Sequence, residues 1–116
     1  MAYNNWDAIK SEYESFVDFE RHGLDVHSRG ILAILPQLRE QFAPPHYDVI
    51  TSHFTLCFRK PNVTIQVCIW CDKQNQYHVS YHDPAQICEY GEVLVSEDEV
   101  ISTVQSHLDK IIFDDE

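Results

Sequence analysis

Apolar and polar residues alternate in three consecutive stretches between His53 and His82, and this alternation constrains the fold more than any other feature. The first stretch is apolar at positions 54, 56 and 58, the second at 63, 65, 67 and 69, and the third at 77, 79 and 81. A period of two is typical of β-strands that bury one face. The sequence therefore predicts an antiparallel, three-stranded meander.

The same alternation predicts how the three strands pair, because neighbours across two strands share one face of the sheet. The first hairpin is predicted to pair Phe58 with Val63. The second is predicted to turn through a three-residue loop that pairs Cys71 with Tyr77. In that loop Asn75 is expected to accept the left-handed backbone conformation that asparagine tolerates.

Helical spacing of apolar residues appears on both sides of the meander. Asn4 or Asn5 is expected to cap the first helix, and Ser96 with Glu99 forms a capping box before the last. Pro36 either kinks the second helix or begins a new one. Helices are predicted over residues 4–21, 25–43 and 97 to about 112.

These elements predict an α+β fold, a two-layer sandwich of two N-terminal helices, an antiparallel meander of three to four strands, and a C-terminal helix. The segment 86–95 is either the fourth strand or an extended lead-in to the last helix. A chain of 116 residues is long enough for one core, so residues 1–116 are expected to form a single domain.

The chain begins without a basic and apolar leader and has no apolar run of about 18 residues, so we expect a cytoplasmic protein that does not span a membrane. The four cysteines, at positions 57, 68, 71 and 88, are expected to be reduced thiols in that compartment.

The net charge is −11, with 19 acidic against 8 basic side chains. From Glu89 to the end there are nine acids and one base, Lys110. Direct binding to nucleic acid is disfavoured, because that interaction depends on cations that neutralise phosphates. An acidic surface instead attracts a basic protein partner.

The face of the meander opposite its apolar set carries three histidines, a tryptophan and a thiol. The predicted pairing places residues of this face in three rows across the strands. The face is either a half-solvated surface or a recognition surface with Trp70 as its anchor. The rows are His53–Cys68–Ser80, Thr51–Trp70–His78 and Thr55–Gln66–His82.

This face and its flanking residues suggest metal binding or thiol catalysis, and neither is predicted. Cys68 and Cys71 have CxxC spacing, but positions three apart in a strand point to opposite faces and cannot grip one ion. His53 opposite Cys68 offers a thiol and a base, without a third orienting group or an oxyanion site. Adjacent rows of His53, Cys68, His78 and His82 supply two metal ligands where zinc needs three or four. We therefore predict no catalytic residue, no metal and no cofactor.

No motif identifies a family, although the small size, acidity and lack of catalytic motifs are similar to those of many immunity proteins of bacterial toxin systems. We predict a non-enzymatic acidic binding protein, an inhibitor or immunity-type partner of a basic protein such as a nuclease toxin. One alternative is a metal- or thiol-dependent enzyme that uses Cys68 and the histidines, and another is a homodimer formed through the sheet face or an edge strand. The predicted partner-binding residues are Trp70, His53, His78, His82 and Cys68 as the contact surface, with Glu89, Glu92, Glu97, Asp98 and Glu99 for electrostatic steering.

Overall fold

The computed structural model describes residues 4–19, 26–43, 46–52, 54–61, 63, 65–83 and 88–114; for residues 19, 82, 83, 88–91 and 110–114 it describes the backbone alone. Its five strands form one sheet in the order β1-β2-β3-β4-β5, and each pairs antiparallel with the next along the chain. The α+β prediction is confirmed, with five strands in place of three or four. The elements are α1 Trp6–Phe19, α2 Ser28–Gln41, β1 Asp48–Ser52, β2 Thr55–Arg59, β3 Gln66–Cys71, β4 Tyr77–Asp83, β5 Cys88–Val95 and α3 Glu97–Asp114.

The additional strand is β1: the predicted rows place Thr51 and Thr55 in one strand, whereas they belong to β1 and β2. The chain reverses between Ser52 and Thr55, which are themselves paired across the two strands. The positions that face the core change phase at this turn, from Val49 and Thr51 in β1 to Leu56 and Phe58 in β2. Phe54 lies in the turn, and its ring centroid is 4.7 Å from that of Phe16 in α1.

The predicted register of the hairpin between β2 and β3 is wrong. Phe58 pairs with Val67 and not with Val63, a shift of four residues. Because four is an even number, the same side chains still face the core. The connection is longer than the predicted turn, because Val63 and Ile65 pack against the core from the loop and not from the strand.

The predicted register of the hairpin between β3 and β4 is confirmed, from Cys71 paired with Tyr77 to Val67 paired with Tyr81. Asn75 has φ 62°, in the left-handed region that this loop was expected to require. The ambiguous segment before α3 is the strand β5, and the ladder between β4 and β5 is irregular between Val79 and Tyr81.

The predicted helix starts are confirmed in part. Asn5 caps α1, since its Oδ1 accepts a hydrogen bond of 3.0 Å from the backbone N–H of Ala8. Pro36 lies inside one continuous α2. Before α3, the Ser96 hydroxyl donates to the Glu99 carboxylate at 3.0 Å and the Glu99 N–H donates to the Ser96 carbonyl at 3.0 Å, in place of the side-chain-to-backbone bonds of the predicted capping box.

All three helices pack on one face of the sheet. Phe58 connects two of them, because its ring centroid lies 6.5 Å from that of Trp6 in α1 and 5.0 Å from that of Phe42 in α2. Tyr81 stacks on His107 of α3 at 4.7 Å. The fully buried large side chains of this core include Ile9, Tyr13, Ile31, Ile34, Leu38, Phe42, Val49, Leu56, Phe58, Val67, Ile69 and Leu108.

Gly30, in the first turn of α2, fits closely against the end of β3. A Cβ atom at this position would lie 2.5 Å from Sγ and 3.0 Å from Cβ of Cys71. The backbone is held at the same place, because the Tyr77 hydroxyl donates to the Gly30 carbonyl at 2.7 Å and the His27 N–H donates to the Cys71 carbonyl at 2.8 Å.

Gly30→Ala is expected to lower the free energy of unfolding by about 1–2 kcal/mol, measured by urea denaturation. Overpacking costs about 1–3 kcal/mol, and the better helix propensity of alanine returns about 1 kcal/mol. Adding Cys71→Ala removes the closest atom, so the double variant should lose less than the two single losses combined. Strictly additive losses would show that the contact with Cys71 is not the cause.

Candidate binding surface at the edge of the sheet

The face of the sheet opposite the helices, here called the outer face, carries a row of three residues from neighbouring strands. Trp70 of β3 pairs with His78 of β4, and His78 pairs with Leu94 of β5. The rings of Trp70 and His78 are stacked, with centroids 3.9 Å apart and planes at 14°. Because the three residues are cross-strand neighbours, their side chains form a continuous row on the outer face that ends at the edge strand β5.

His78 is fixed in this row by two carboxylates. Its Nε2 lies 2.8 Å from Asp72 Oδ2, and its Nδ1 lies 3.3 Å from Glu92 Oε1. A carboxylate oxygen therefore lies near each ring nitrogen, and the two contacts orient the ring that stacks against Trp70.

Asp72 anchors this group from the loop between β3 and β4. It is 4% exposed, and its Oδ1 accepts the backbone N–H groups of Gln74 at 2.8 Å and Gln76 at 3.1 Å. Burial alone would raise the pKa of Asp72, but the hydrogen bonds from His78, Gln76 and Gln74 outweigh it and lower the pKa below its ordinary value. The carboxylate is therefore ionised at neutral pH and orients both the loop and His78.

The edge strand β5 leaves apolar side chains in contact with solvent. Leu94 is 54% exposed and Val93 is 40% exposed, and these are the exposed large hydrophobic side chains of the described residues. Within the described part of the chain, no strand pairs with the outer side of β5. Edge strands in general present unpaired backbone N–H and C=O groups that are able to pair with another chain.

The sequence segment that contains β5 carries acidic side chains and no lysine or arginine. No lysine or arginine occurs between Lys73 and Lys110. The side chain of Glu92 is 48% exposed, and Glu97 and Asp98 are exposed directly after the strand, where they line a groove of about 960 Å³ between α2 and α3. The segment 74–109 contains seven acids: Asp83, Glu89, Glu92, Glu97, Asp98, Glu99 and Asp109.

The structure brings together some of the predicted contact residues and separates others. Trp70 and His78 are neighbours as predicted, and Glu92 joins them. His82 pairs with Glu89 at the backbone, and their side chains lie outside the described part. His53 also lies outside the described residues. Glu99 is exposed at the start of α3.

All three predicted rows are wrong at their first member, and in the observed register of β2 and β3 Thr55 does not oppose Gln66. Thr51 faces the helices, where its hydroxyl donates to Glu12 at 2.9 Å, and so it does not join Trp70 on the outer face. Cys68 pairs with Ser80 as predicted, but its partner on the other side is Cys57 and not His53. The four-residue shift in register separates Thr55 from Gln66 and removes the predicted pair of thiol and base.

The cysteines of the CxxC sequence face opposite sides of the sheet, as predicted. Cys71 belongs to the core, whereas Cys68 contacts Cys57 on the outer face. Among the residues whose side chains are described, no group of three or more histidine, cysteine, aspartate or glutamate side chains is arranged to hold a metal ion.

Sequence reasoning missed two members of this surface. Asp72 directly precedes the predicted three-residue loop, and the available signal was that aspartate in this position often accepts loop N–H groups. Leu94 was missed because its segment was ambiguous, and only the pairing with His78 places it on the outer face.

None of the described helices is both long enough and apolar enough to cross a membrane. No protein-family model, curated protein or solved structure matches the chain.

Proposed function

We propose that this chain is a non-enzymatic, acidic binding protein, an inhibitor or immunity-type partner that receives an extended basic segment of another protein along β5. The observation that supports this most directly is the row Trp70–His78–Leu94, which leads from a stacked aromatic pair to an exposed leucine on an edge strand. Such a surface offers backbone pairing, an apolar contact and an aromatic anchor together.

A segment that adds as a strand at β5 would interact with the backbone of the edge strand and with side chains of the outer face. Backbone hydrogen bonds to an edge strand provide affinity, and alternate side chains of the incoming segment provide specificity. On the outer face, a side chain placed beside Leu94 would extend the row that Trp70 and His78 begin. Leu94 and Trp70 therefore belong to one contact surface, although 24 positions separate them in the sequence.

Charge decides which partner is favoured. The segment 74–109 carries acids without lysine or arginine, so a basic segment gains attraction along the whole edge. A second copy of this chain, paired through the same edge, would bring Glu92, Glu97 and Asp98 close to their own counterparts. Repulsion between like charges therefore favours a basic partner over a homodimer.

The proposal is tested by affinity capture from the host lysate at about 50 mM and about 500 mM salt, with quantitative mass spectrometry. We expect a basic protein to be enriched, more strongly at low salt. Glu92→Gln/Asp98→Asn should reduce its capture, whereas Glu14→Gln/Glu40→Gln, which removes the same charge from exposed positions on α1 and α2, should not. Equal capture by the two double variants would contradict the assignment of the surface.

Trp70→Ala is expected to weaken binding of the purified partner by about 2 kcal/mol or more, measured by calorimetry, because buried tryptophans dominate the affinity of many interfaces. Trp70→Phe keeps a ring over His78 and should retain most of the affinity. Circular dichroism checks that both variants are folded. An affinity unchanged by Trp70→Ala would remove this residue from the interface.

A further inference from the structure

Cys57 and Cys68 form a second feature of the outer face, which the proposed binding surface does not use. They are directly opposed across β2 and β3, and their Sγ atoms are 2.8 Å apart. This separation lies between ordinary nonbonded contact and the S–S bond of about 2.05 Å. Opposed residues in an antiparallel pair have Cα atoms about 4.5–5.5 Å apart, within the range that a disulfide spans.

We propose that Cys57 and Cys68 are a redox modification site, a dithiol that hydrogen peroxide converts to a cross-strand disulfide. The two residues are 6% and 8% exposed, which admits a small uncharged oxidant more readily than a bulky disulfide. The other cysteine with a described side chain, Cys71, faces the core on the far side of the sheet. Its position keeps it away from this pair.

The reaction balances in two steps. One thiol reacts with hydrogen peroxide to give a sulfenic acid and one molecule of water. The opposed thiol then attacks that sulfur, forms the S–S bond and releases the second molecule of water. Two thiols are thereby oxidised, and one peroxide is reduced to two waters. A dithiol reductant such as dithiothreitol reverses the change by thiol–disulfide exchange.

Oxidation would join β2 to β3 at the point where the register had been predicted incorrectly. The bond would close the loop from 57 to 68 and restrict the unfolded chain, so the oxidised protein should melt at a higher temperature than the reduced protein. The site would need little movement of the backbone, because the register already opposes the two residues.

The test treats the reduced full-length chain with hydrogen peroxide and counts thiols after denaturation. We expect the count to fall from the four thiols of the sequence to two, and to return to four with dithiothreitol. Peptide mapping without reductant should find Cys57 joined to Cys68, lighter by the mass of two hydrogens. A cross-link through Cys71 or Cys88, or a count that stays at four, would overturn the proposal.

Variants separate the pair from the other thiols. In Cys71→Ala/Cys88→Ala, both remaining thiols should disappear on oxidation and reappear on reduction. In Cys57→Ser, oxidation should stop at a sulfenic acid on Cys68, which a sulfenic-acid probe such as dimedone captures. Formation of a disulfide by Cys57→Ser at the wild-type rate would contradict the assignment. The peptide map of the wild-type chain remains decisive if Cys57→Ser does not fold.

Discussion

Phe58→Ala is expected to lower the free energy of unfolding by about 4 kcal/mol, because removal of a buried phenylalanine typically costs about 3–5 kcal/mol. Phe58 is 0% exposed, and its ring lies between Trp6 of α1 and Phe42 of α2. Its strand neighbours, Val49 and Val67, also belong to the core. Because these neighbours belong to four different elements, we expect no single one of them to fill the cavity left behind.

Phe54→Ala provides the matched control, because it makes the same substitution four residues earlier. The sequence pattern gives both phenylalanines the same inward position, whereas the structure places Phe54 in the turn, partly exposed against Phe16. Its loss is expected to be about 1–2 kcal/mol, less than half that of Phe58. Urea denaturation measures both, and equal losses would contradict the observed turn between β1 and β2.

The hairpin between β2 and β3 shows what the alternation of apolar and polar residues is able to determine. A period of two assigns each residue to a face, and every predicted inward residue of β2, β3 and β4 is on the core side. Alternation does not distinguish two registers that differ by an even number of residues, because both bury the same side chains. The pairing of Phe58 with Val67 depends on how Val63 and Ile65 pack from the loop, which is tertiary information.

The second hairpin was predictable because its loop is short and locally determined. Only a three-residue loop aligns Cys71 with Tyr77 on the core face, and Asn75 is a residue type that accepts a positive φ. Similar local chemistry predicted that Asn4 or Asn5 caps α1, and the structure shows that Asn5 does so. The predicted register is confirmed at the β3–β4 hairpin, where residues of the loop itself determine the turn. It is wrong at the β2–β3 hairpin, where the register depends on packing against distant residues.

The candidate surface was predictable in part for the same reason. Trp70 and His78 meet across the hairpin whose register the sequence determines. Cys68 was paired with the wrong residue because it lies across the other hairpin. Leu94 required knowledge that the segment before α3 is a strand. The acidic character of the region, by contrast, follows from composition alone.

Asp72→Ala is expected to lower the free energy of unfolding by about 3 kcal/mol. The substitution removes the acceptor of two loop N–H groups and of His78, and a buried donor without a partner costs about 1–3 kcal/mol. The loss is less than the sum of three such costs, because Gln74 and Gln76 are exposed and water is able to reach their N–H groups. Lys73→Ala, at an exposed position in the same loop, should change stability little.

Asp72→Asn isolates the charge, because its side-chain oxygen still accepts the loop N–H groups. The folded-state pKa of Asp72 lies below its ordinary value of 3.8, so the folded protein binds this proton less readily than the unfolded chain does. The stabilisation by the carboxylate is therefore complete above the ordinary pKa and is lost as the pH falls below it. The difference in unfolding free energy between wild type and Asp72→Asn should be full at about pH 5 and should shrink between about pH 4 and pH 2. A difference that grows on acidification would show that the carboxylate is not stabilised in the folded state, and the orientation of His78 beneath Trp70 would then need another source.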